Sequence, residues 1–454
     1  MASPGAETDP RMAASGGLIR ILGVGFGLAV IVGGTLGIGI LRTPGLVAGQ
    51  LASPAAILLV WLAGGLYTLL GCACLTELGT MLPAAGGYYV YARRAFGPGV
   101  GFGVGWTDWL TYCAVLGYVS IAIGEFSAVL APGLAPAIKW IAVGVLACFA
   151  ALQSSGIRVS SRFQELTTVV KFLAFLALVV ACFVHAATAP TATADPGPVP
   201  AATLAGLIVA LQSIVITYGG WQSALYFTEE DRDPDRNLPR SMIGGVASVI
   251  VIYLLVNVAL LAVLPVPQLA RSTLPAADAA KLIFGGRGGE LITLLSLVSL
   301  PPLLNAIMMI GTRILFAMGR DGLQWHRTAS VNRRGTPVVA TLTTTGVAGL
   351  LVASGTFQKL VAVASFFLAA NYCVCCLALV VLRVREPGLK RPFRAWGYPF
   401  SAIVVLAGAV AFLCGVLIGD ARTGLVALAL LAVGAAGRTL APAARGGPRL
   451  TVHS

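Results

Sequence analysis

Gly33-Gly34-Thr35-Leu36-Gly37-Ile38-Gly39 sets four glycines within seven residues, in the middle of an apolar segment that runs from about Leu18 to Gly49. A helix that spans a bilayer needs about 20 apolar residues. Each glycine in its interior costs roughly 0.8–1 kcal/mol relative to alanine, and here the glycines fall where a spanning helix should be strongest. Non-helical backbone survives at membrane depth only where it is buried in protein or lines a cavity. The interruption therefore reads as a binding site set into a broken helix.

The composition around it is that of an integral membrane protein. Of 454 residues, 57% are hydrophobic and 10% charged, with a mean hydropathy of +0.90; a soluble domain carries about 25% charged residues. Apolar stretches recur at roughly 18–49, 54–82, 98–131, 137–157, 163–187, 201–229, 240–265, 288–319, 337–355, 358–383, 398–419 and 422–441. They predict an all-α membrane protein of about twelve transmembrane helices. The first is too long and too broken for a cleaved signal peptide. Residues 1–17 and 442–454 are expected to be disordered tails.

Basic residues flanking spans stay in the cytoplasm. One set of loops carries sixteen Lys and Arg between Arg93 and Arg394, whereas the opposite set carries only Lys139, Arg271, Lys281, Arg287, Lys359 and Arg422. Arg11, Arg20, Arg438, Arg445 and Arg449 join the first set, so both termini are expected in the cytoplasm of a multi-pass protein of a cell membrane, plasma or inner. The net charge of +13 is then a topology signal and needs no nucleic-acid partner. All nine cysteines lie in predicted spans, and Cys373, Cys375 and Cys376 have no histidine nearby, so packing is their default role and no metal site is expected. The sequence holds no P-loop, no paired catalytic carboxylates and no nucleophile elbow, which excludes direct ATP coupling and enzyme chemistry and calls for no cofactor.

A second interrupted span lies at 201–229, with Thr217-Tyr218-Gly219-Gly220-Trp221 at its centre. Inverted five-helix repeats place discontinuous helices at corresponding positions of the two halves, with substrate between them at the midplane. Breaks in spans 1 and 6 have that spacing, which divides the chain into 18–200 (spans 1–5), 201–383 (spans 6–10) and 384–441 (spans 11–12). Glycines also serve close helix packing, the role expected of Gly101, Gly103 and Gly105 in span 3.

At several places the residues resemble the amino acid, polyamine and organocation transporter superfamily, nearest the L-type amino acid transporters and their bacterial relatives. Gly37-Ile38-Gly39-Ile40-Leu41 with Pro44 is similar to that family's Gly-Ser-Gly-Ile-Phe pattern. Glu77-Leu78-Gly79 through Pro83, then Gly86-Gly87-Tyr88-Tyr89 and Tyr91, resembles its intracellular signature. Span 6 carries Tyr218-Gly219-Gly220-Trp221, Thr228-Glu229-Glu230, Pro234 and Arg236-Asn237-Leu238-Pro239; Arg313, Arg320-Asp321-Gly322, Leu382-Arg383, Glu386-Pro387 and Arg391-Pro392-Phe393 are similar too.

The resemblance implies a LeuT-type 5+5 inverted repeat with helices 1 and 6 broken, carrying amino acids by alternating access. An unwound segment offers free N–H groups to a carboxylate and free carbonyls to an ammonium. Position by position, it implies that the Gly37-Ile38-Gly39 backbone, through the N–H groups of Ile38 and Gly39, holds the substrate carboxylate, and that the carbonyls of Thr35, Ile216 and Gly219 receive its ammonium. Ile38 stands where the family often has Ser, and Ile216 where it often has an aromatic gate. Tyr218 and Trp221 either supply aromatic walls instead or pack between helices. The loop Ala131 to Lys139 lacks the Cys with which vertebrate L-type members bond an accessory subunit, so no disulfide-linked partner is expected.

Charges within spans are costly and mark function by default. Lys171 lies about nine residues into span 5. In the family, a Lys at this position sits beside the span 1 break, which implies that it replaces a coupling sodium or carries a coupling proton; the alternative is a side chain that snorkels to the interface. Arg42, three residues past Gly39, lies about 5 Å above the break, and Glu125 on span 3 matches its depth, so the two are expected to form an outer gate pair. Alternatively, Arg42 meets an acidic substrate side chain. Glu77 is expected to pair with loop arginines, and Asp108 has no assigned role. Glu229-Glu230-Asp231 reads as gate structure or as a solvated charge run. The sequence thus predicts a sodium-independent secondary amino acid transporter, proton-coupled or exchanging, with lipid and protons as its other partners. The alternatives are a polyamine or organocation carrier, which should need an acidic pocket, and a transporter-like amino acid sensor.

Overall fold

The computed structural model describes residues 17–51, 53–188, 203–354 and 357–419, with isolated positions between 426 and 434. Among the described residues the secondary structure is helical, apart from one isolated bridge between Leu22 and Asp231. Among the described residues eight helices are long and apolar enough to cross a bilayer, and the bent pair Val24–Thr35 and Ile38–Ala48 makes a ninth. Val338–Ala353 and Phe400–Gly415 are shorter apolar helices where spans 9 and 11 are expected. The segment expected for span 12, 422–441, and the two tails lie largely outside the described residues.

Spans 2 to 5 are Pro54–Met81, Pro98–Leu130, Ile138–Ser154 and Ile157–Thr188, and spans 6 to 8 are Leu204–Thr217, Pro234–Val263 and Gly288–Arg320. Span 10 is Phe357–Arg385. Their starts follow local chemistry. Ser53 accepts the N–H of Ala56 at 3.2 Å with Pro54 in the first turn of span 2, and Thr203 accepts the N–H of Gly206 at 3.0 Å in span 6, both N-caps that satisfy an otherwise orphaned donor. On span 5, Leu166, Val169, Leu173 and Val184 are exposed while Phe175, Leu178 and Cys182 are buried. A helix apolar on both faces belongs in lipid.

The helices pack in two groups. Span 7 lies against spans 1 and 2, and the two halves of span 6 lie against span 2 and against the halves of span 1. Spans 3, 4, 8 and 9 pack on one another as a second group. Span 5 touches spans 1, 7 and 8, while span 10 touches spans 2, 3 and 11 and the short helix Tyr88–Phe96.

Both predicted breaks are present. Span 1 leaves the helix at Leu36 and Gly37 and turns by 47°. Span 6 ends its first helix at Thr217, passes through Gly220 at φ 112°, and continues as a 3₁₀ segment, Trp221–Phe227. The breaks are pressed together: a Cβ on Gly220 would lie 2.6 Å from the Gly34 carbonyl oxygen and 3.1 Å from the Thr35 nitrogen. Gly220 is thus required twice, by its left-handed backbone and by this close approach.

Gly220→Ala is expected to cost about 1–2 kcal/mol in backbone strain and about 1–3 kcal/mol in overpacking. Gly346→Ala, on the exposed side of span 9 with open space around it, should be neutral. Thermal melts of the purified protein compare the two, and equal melting temperatures would contradict the interlock.

Candidate functional site

Breaking a helix frees carbonyls at one cut end and N–H groups at the other. At the span 1 break the carbonyls are claimed by side chains from other spans. Lys171, fully buried on span 5, donates from Nζ to the Gly33 carbonyl at 2.8 Å. The Tyr253 hydroxyl, buried on span 7, lies 2.7 Å from the Thr35 carbonyl and 3.0 Å from the Thr217 carbonyl, and so shares its proton between the last carbonyls of both broken helices. Thr43 and Thr217 join the two spans through their hydroxyls at 2.8 Å.

The N–H side is different. The helix Ile38–Ala48 starts at Gly37 with no side-chain cap, so the N–H groups of Ile38, Gly39 and Ile40 have no intrahelical acceptor and sit at the positive end of the helix dipole. Such an end binds a carboxylate readily. Beside it, the buried Thr35 hydroxyl has no partner among the described residues. The Ile216 carbonyl accepts the Gly219 N–H at 2.9 Å, which leaves it a second lone pair. The structure thus gathers Thr35, Gly37, Ile38 and Gly39 at one break and Ile216 and Gly219 at the other. Tyr218 turns away: its ring packs 4.9 Å from Tyr253 and 6.0 Å from Trp61, and its hydroxyl lies 3.4 Å from the Trp61 carbonyl. Its side chain packs between spans 2, 6 and 7.

A cavity of about 90 Å³ opens beside the span 6 break. Ile216, Gly219, Trp221 and Gln222 form one wall, and Tyr67, Thr68, Tyr88, Ser365, Leu368, Tyr372 and Phe412 are among the others. No charged residue lines it, and none of its walls comes from the span 1 break. Trp221 stands edge-on to Tyr372 at 5.8 Å in this lining.

The charges divide sharply. Lys171 does not snorkel; it points into the break. Arg42 and Glu125 are both exposed, and no ion pair joins them among the described residues. On the face with the basic loops, the acidic cluster is not a solvated run. Glu230 and Arg313 form a bidentate pair at 2.9 and 3.0 Å with both side chains buried, and Glu229 takes Arg320 at 2.7 Å and the Ala85 N–H at 2.9 Å. The Glu230 carbonyl also receives the N–H groups of Ile21 and Leu22 at 3.0 Å. Glu77, fully buried, holds Arg383, Arg391 and the Ala395 N–H, the arginine pairing expected of it. Asp321 holds Arg93 and the Tyr89 hydroxyl.

Three features have no counterpart in the sequence reading. Tyr253 bridges both breaks, but a lone phenol in an apolar span gives no sign of its acceptors. A chain of amides runs from Asn305 to Gln164 (2.8 Å) and Gln153 (2.7 Å), and from Gln164 to the Ala29 carbonyl (3.3 Å), tying spans 8, 5 and 4 to span 1. Asp108 accepts the Tyr226 hydroxyl at 2.8 Å.

Two broken spans braced on each other, with an uncapped helix end and a buried lysine at the break, define a membrane carrier. The chain belongs to the amino acid permease family, whose model matches residues 27–435. It is 30% identical over 416 residues to the serine/threonine exchanger SteT of Bacillus subtilis, covering 89% of this chain and 92% of that protein. It is 28% identical to the human b(0,+)-type amino acid transporter 1, over 83% of this chain and 79% of the other, and 28% identical to the mouse Asc-type amino acid transporter 1, over 83% and 73%. The protein is a multi-pass membrane transporter and not an enzyme.

The Arg313–Glu230 pair gives a stability test. Arg313→Met alone strands a buried carboxylate and is expected to cost about 3–5 kcal/mol, while Arg313→Met with Glu230→Met should recover most of that loss. Thermal melts of the single and double variants check this; a double variant no more stable than the single would deny that the pair is coupled.

Proposed function

We propose that this protein carries neutral amino acids across a cell membrane by alternating access, independently of sodium, either coupled to protons or in exchange for a second amino acid. The observation that carries the reading is the uncapped start of Ile38–Ala48 set against the cut end of span 6. The substrate carboxylate takes the N–H groups at Gly37, Ile38 and Gly39, where the helix dipole favours an anion. Its ammonium takes the free lone pairs of the Thr35, Ile216 and Gly219 carbonyls. The side chain enters the uncharged cavity beside Ile216 and Gly219, which disfavours a polyamine, since that ligand needs acidic walls. The names of the relatives, a serine/threonine exchanger and two amino acid transporters, support the same substrate class.

In this reading Lys171 is the coupling residue. Its ammonium on the Gly33 carbonyl supplies the positive charge that a bound cation would otherwise bring to the break, and a desolvated lysine can release a proton. The two halves, 18–200 and 201–383, are inverted repeats, and the basic-loop face is cytoplasmic with both termini on that side. The ion pairs of Glu229 and Glu230 then hold the cytoplasmic side shut, and Arg42 with Glu125 closes the opposite side when its turn comes.

Counterflow of labelled amino acids in proteoliposomes tests the function: exchange of neutral amino acids is expected, and binding without exchange would favour the sensor reading. In the same vesicles Lys171→Ala should abolish the pH dependence of uptake while ligand-induced thermal stabilisation persists; an unchanged pH dependence would remove the coupling role. Reversing the charge of Arg42 or Glu125 singly should lower uptake, and reversing both should restore it. A double reversal as poor as the single ones would argue against the gate.

A further inference from the structure

Asp108 lies on span 3, in the group opposite span 6, and is fully buried. Its Oδ2 accepts the Tyr226 hydroxyl at 2.8 Å, and its Oδ1 has no partner among the described residues. The titratable groups that face it are the phenols of Tyr112 on its own helix, Tyr226 beyond the span 6 break and Tyr88 on the helix Tyr88–Phe96, with the Cys375 thiol of span 10. The rings close around Tyr226, with Tyr112 at 5.6 Å and Tyr88 at 5.8 Å. Among the described residues no basic side chain faces the carboxyl. Span 8 directs Arg313 to Glu230, and spans 4 and 9 present no titratable group to Asp108.

A carboxylate in such surroundings lacks the cation and the several donors that an anion requires when it leaves water. Every other buried acid described in this chain has them: Glu77 and Glu230 are each held by arginine. Tyr226 also belongs to the broken span. It closes the 3₁₀ segment that begins at the break, where the Gln222 side chain accepts the Gly220 N–H at 3.2 Å. The hydrogen bond from Tyr226 to Asp108 therefore joins the group of spans 1, 2, 6 and 7 to the group of spans 3, 4, 8 and 9.

We infer that Asp108 is a proton-binding site of the transport cycle. It holds its proton while the Tyr226 hydroxyl is bonded to it, as in this structure, and releases it to water when span 6 draws Tyr226 away and hydrates the carboxyl. This rests on the transport reading above and adds a second proton site, on span 3, to the lysine on span 5.

Infrared difference spectroscopy of the full-length protein in lipid, in H₂O and D₂O, tests the site directly. The wild type is expected to show the carbonyl stretch of a protonated carboxylic acid, absent in Asp108→Asn and shifted in frequency in Tyr226→Phe, which keeps the carboxyl but removes its donor. A spectrum unchanged by both substitutions overturns the proposal. In proteoliposomes Asp108→Asn should abolish the increase in uptake produced by an imposed proton gradient. Counterflow, in which the carrier crosses loaded in both directions, should stay within about twofold of wild type. If wild type shows counterflow and a gradient response that Asp108→Asn retains, Asp108 is not the site although the transport reading stands. If wild type shows no counterflow at all, the transport reading itself falls. Stabilisation by sodium chloride over choline chloride, present in wild type and lost in Asp108→Asn, would make this a metal-cation site and overturn the proton assignment.

Discussion

A backbone carbonyl cut loose inside a bilayer has to find a donor in the protein, because the hydrocarbon offers none. That constraint organises this molecule. Opening span 1 and span 6 exposes the ends of four helical pieces, and the groups that answer their carbonyls come from far along the chain: Lys171 for Gly33, and Tyr253 for Thr35 and Thr217. What is left unanswered is the amino-terminal edge of Ile38–Ala48 and the hydroxyl of Thr35. The candidate site at the break is what this accounting leaves there, the polar groups of span 1 for which the neighbouring spans supply no partner.

The helices form two packed groups that meet where span 8 lies against spans 1 and 6, and polar bonds tie them at the same seam. Spans 1, 2, 6 and 7 share the apolar packing of one group, and spans 3, 4, 8 and 9 that of another. Between them run discrete bonds: Asp108 to Tyr226, Glu230 to Arg313, Glu229 to Arg320. Packed interfaces have alternative arrangements rather than continuous ones. Polar ties of this kind are well placed to select among them, since each can be made or broken as a unit.

Much of this was legible in the chain. Four glycines in seven residues announced the first break, and Thr217 to Trp221 the second, because glycine in a spanning helix is a local signal. Lys171 was legible as a candidate through the cost of its charge in lipid, and its target at the break, the Gly33 carbonyl, through family resemblance. The acids of Glu229-Glu230-Asp231 were visible, but their donors were not: Glu230 meets Arg313 across 83 positions of sequence. Tyr253 and Tyr226 were missed for the same reason, since a phenol carries no mark of the partner it will meet. Ile216 stands exposed, and Trp221 and Tyr372 meet edge-on in the wall of the cavity it lines, a juxtaposition in space that no local pattern records.

The burial of Glu230 against Arg313 has a consequence for the energetics of opening. Two charges withdrawn from water lose hydration nearly equal to what they gain from each other, so such a pair is close to neutral as a source of stability. It is costly only when one partner is left alone in the dry interior. When both are flooded together, hydration replaces attraction and the change in free energy is small. The cytoplasmic closure proposed above, fastened this way, would be selective about how it yields: it would resist partial separation without water, yet give little resistance to a full opening that admits it.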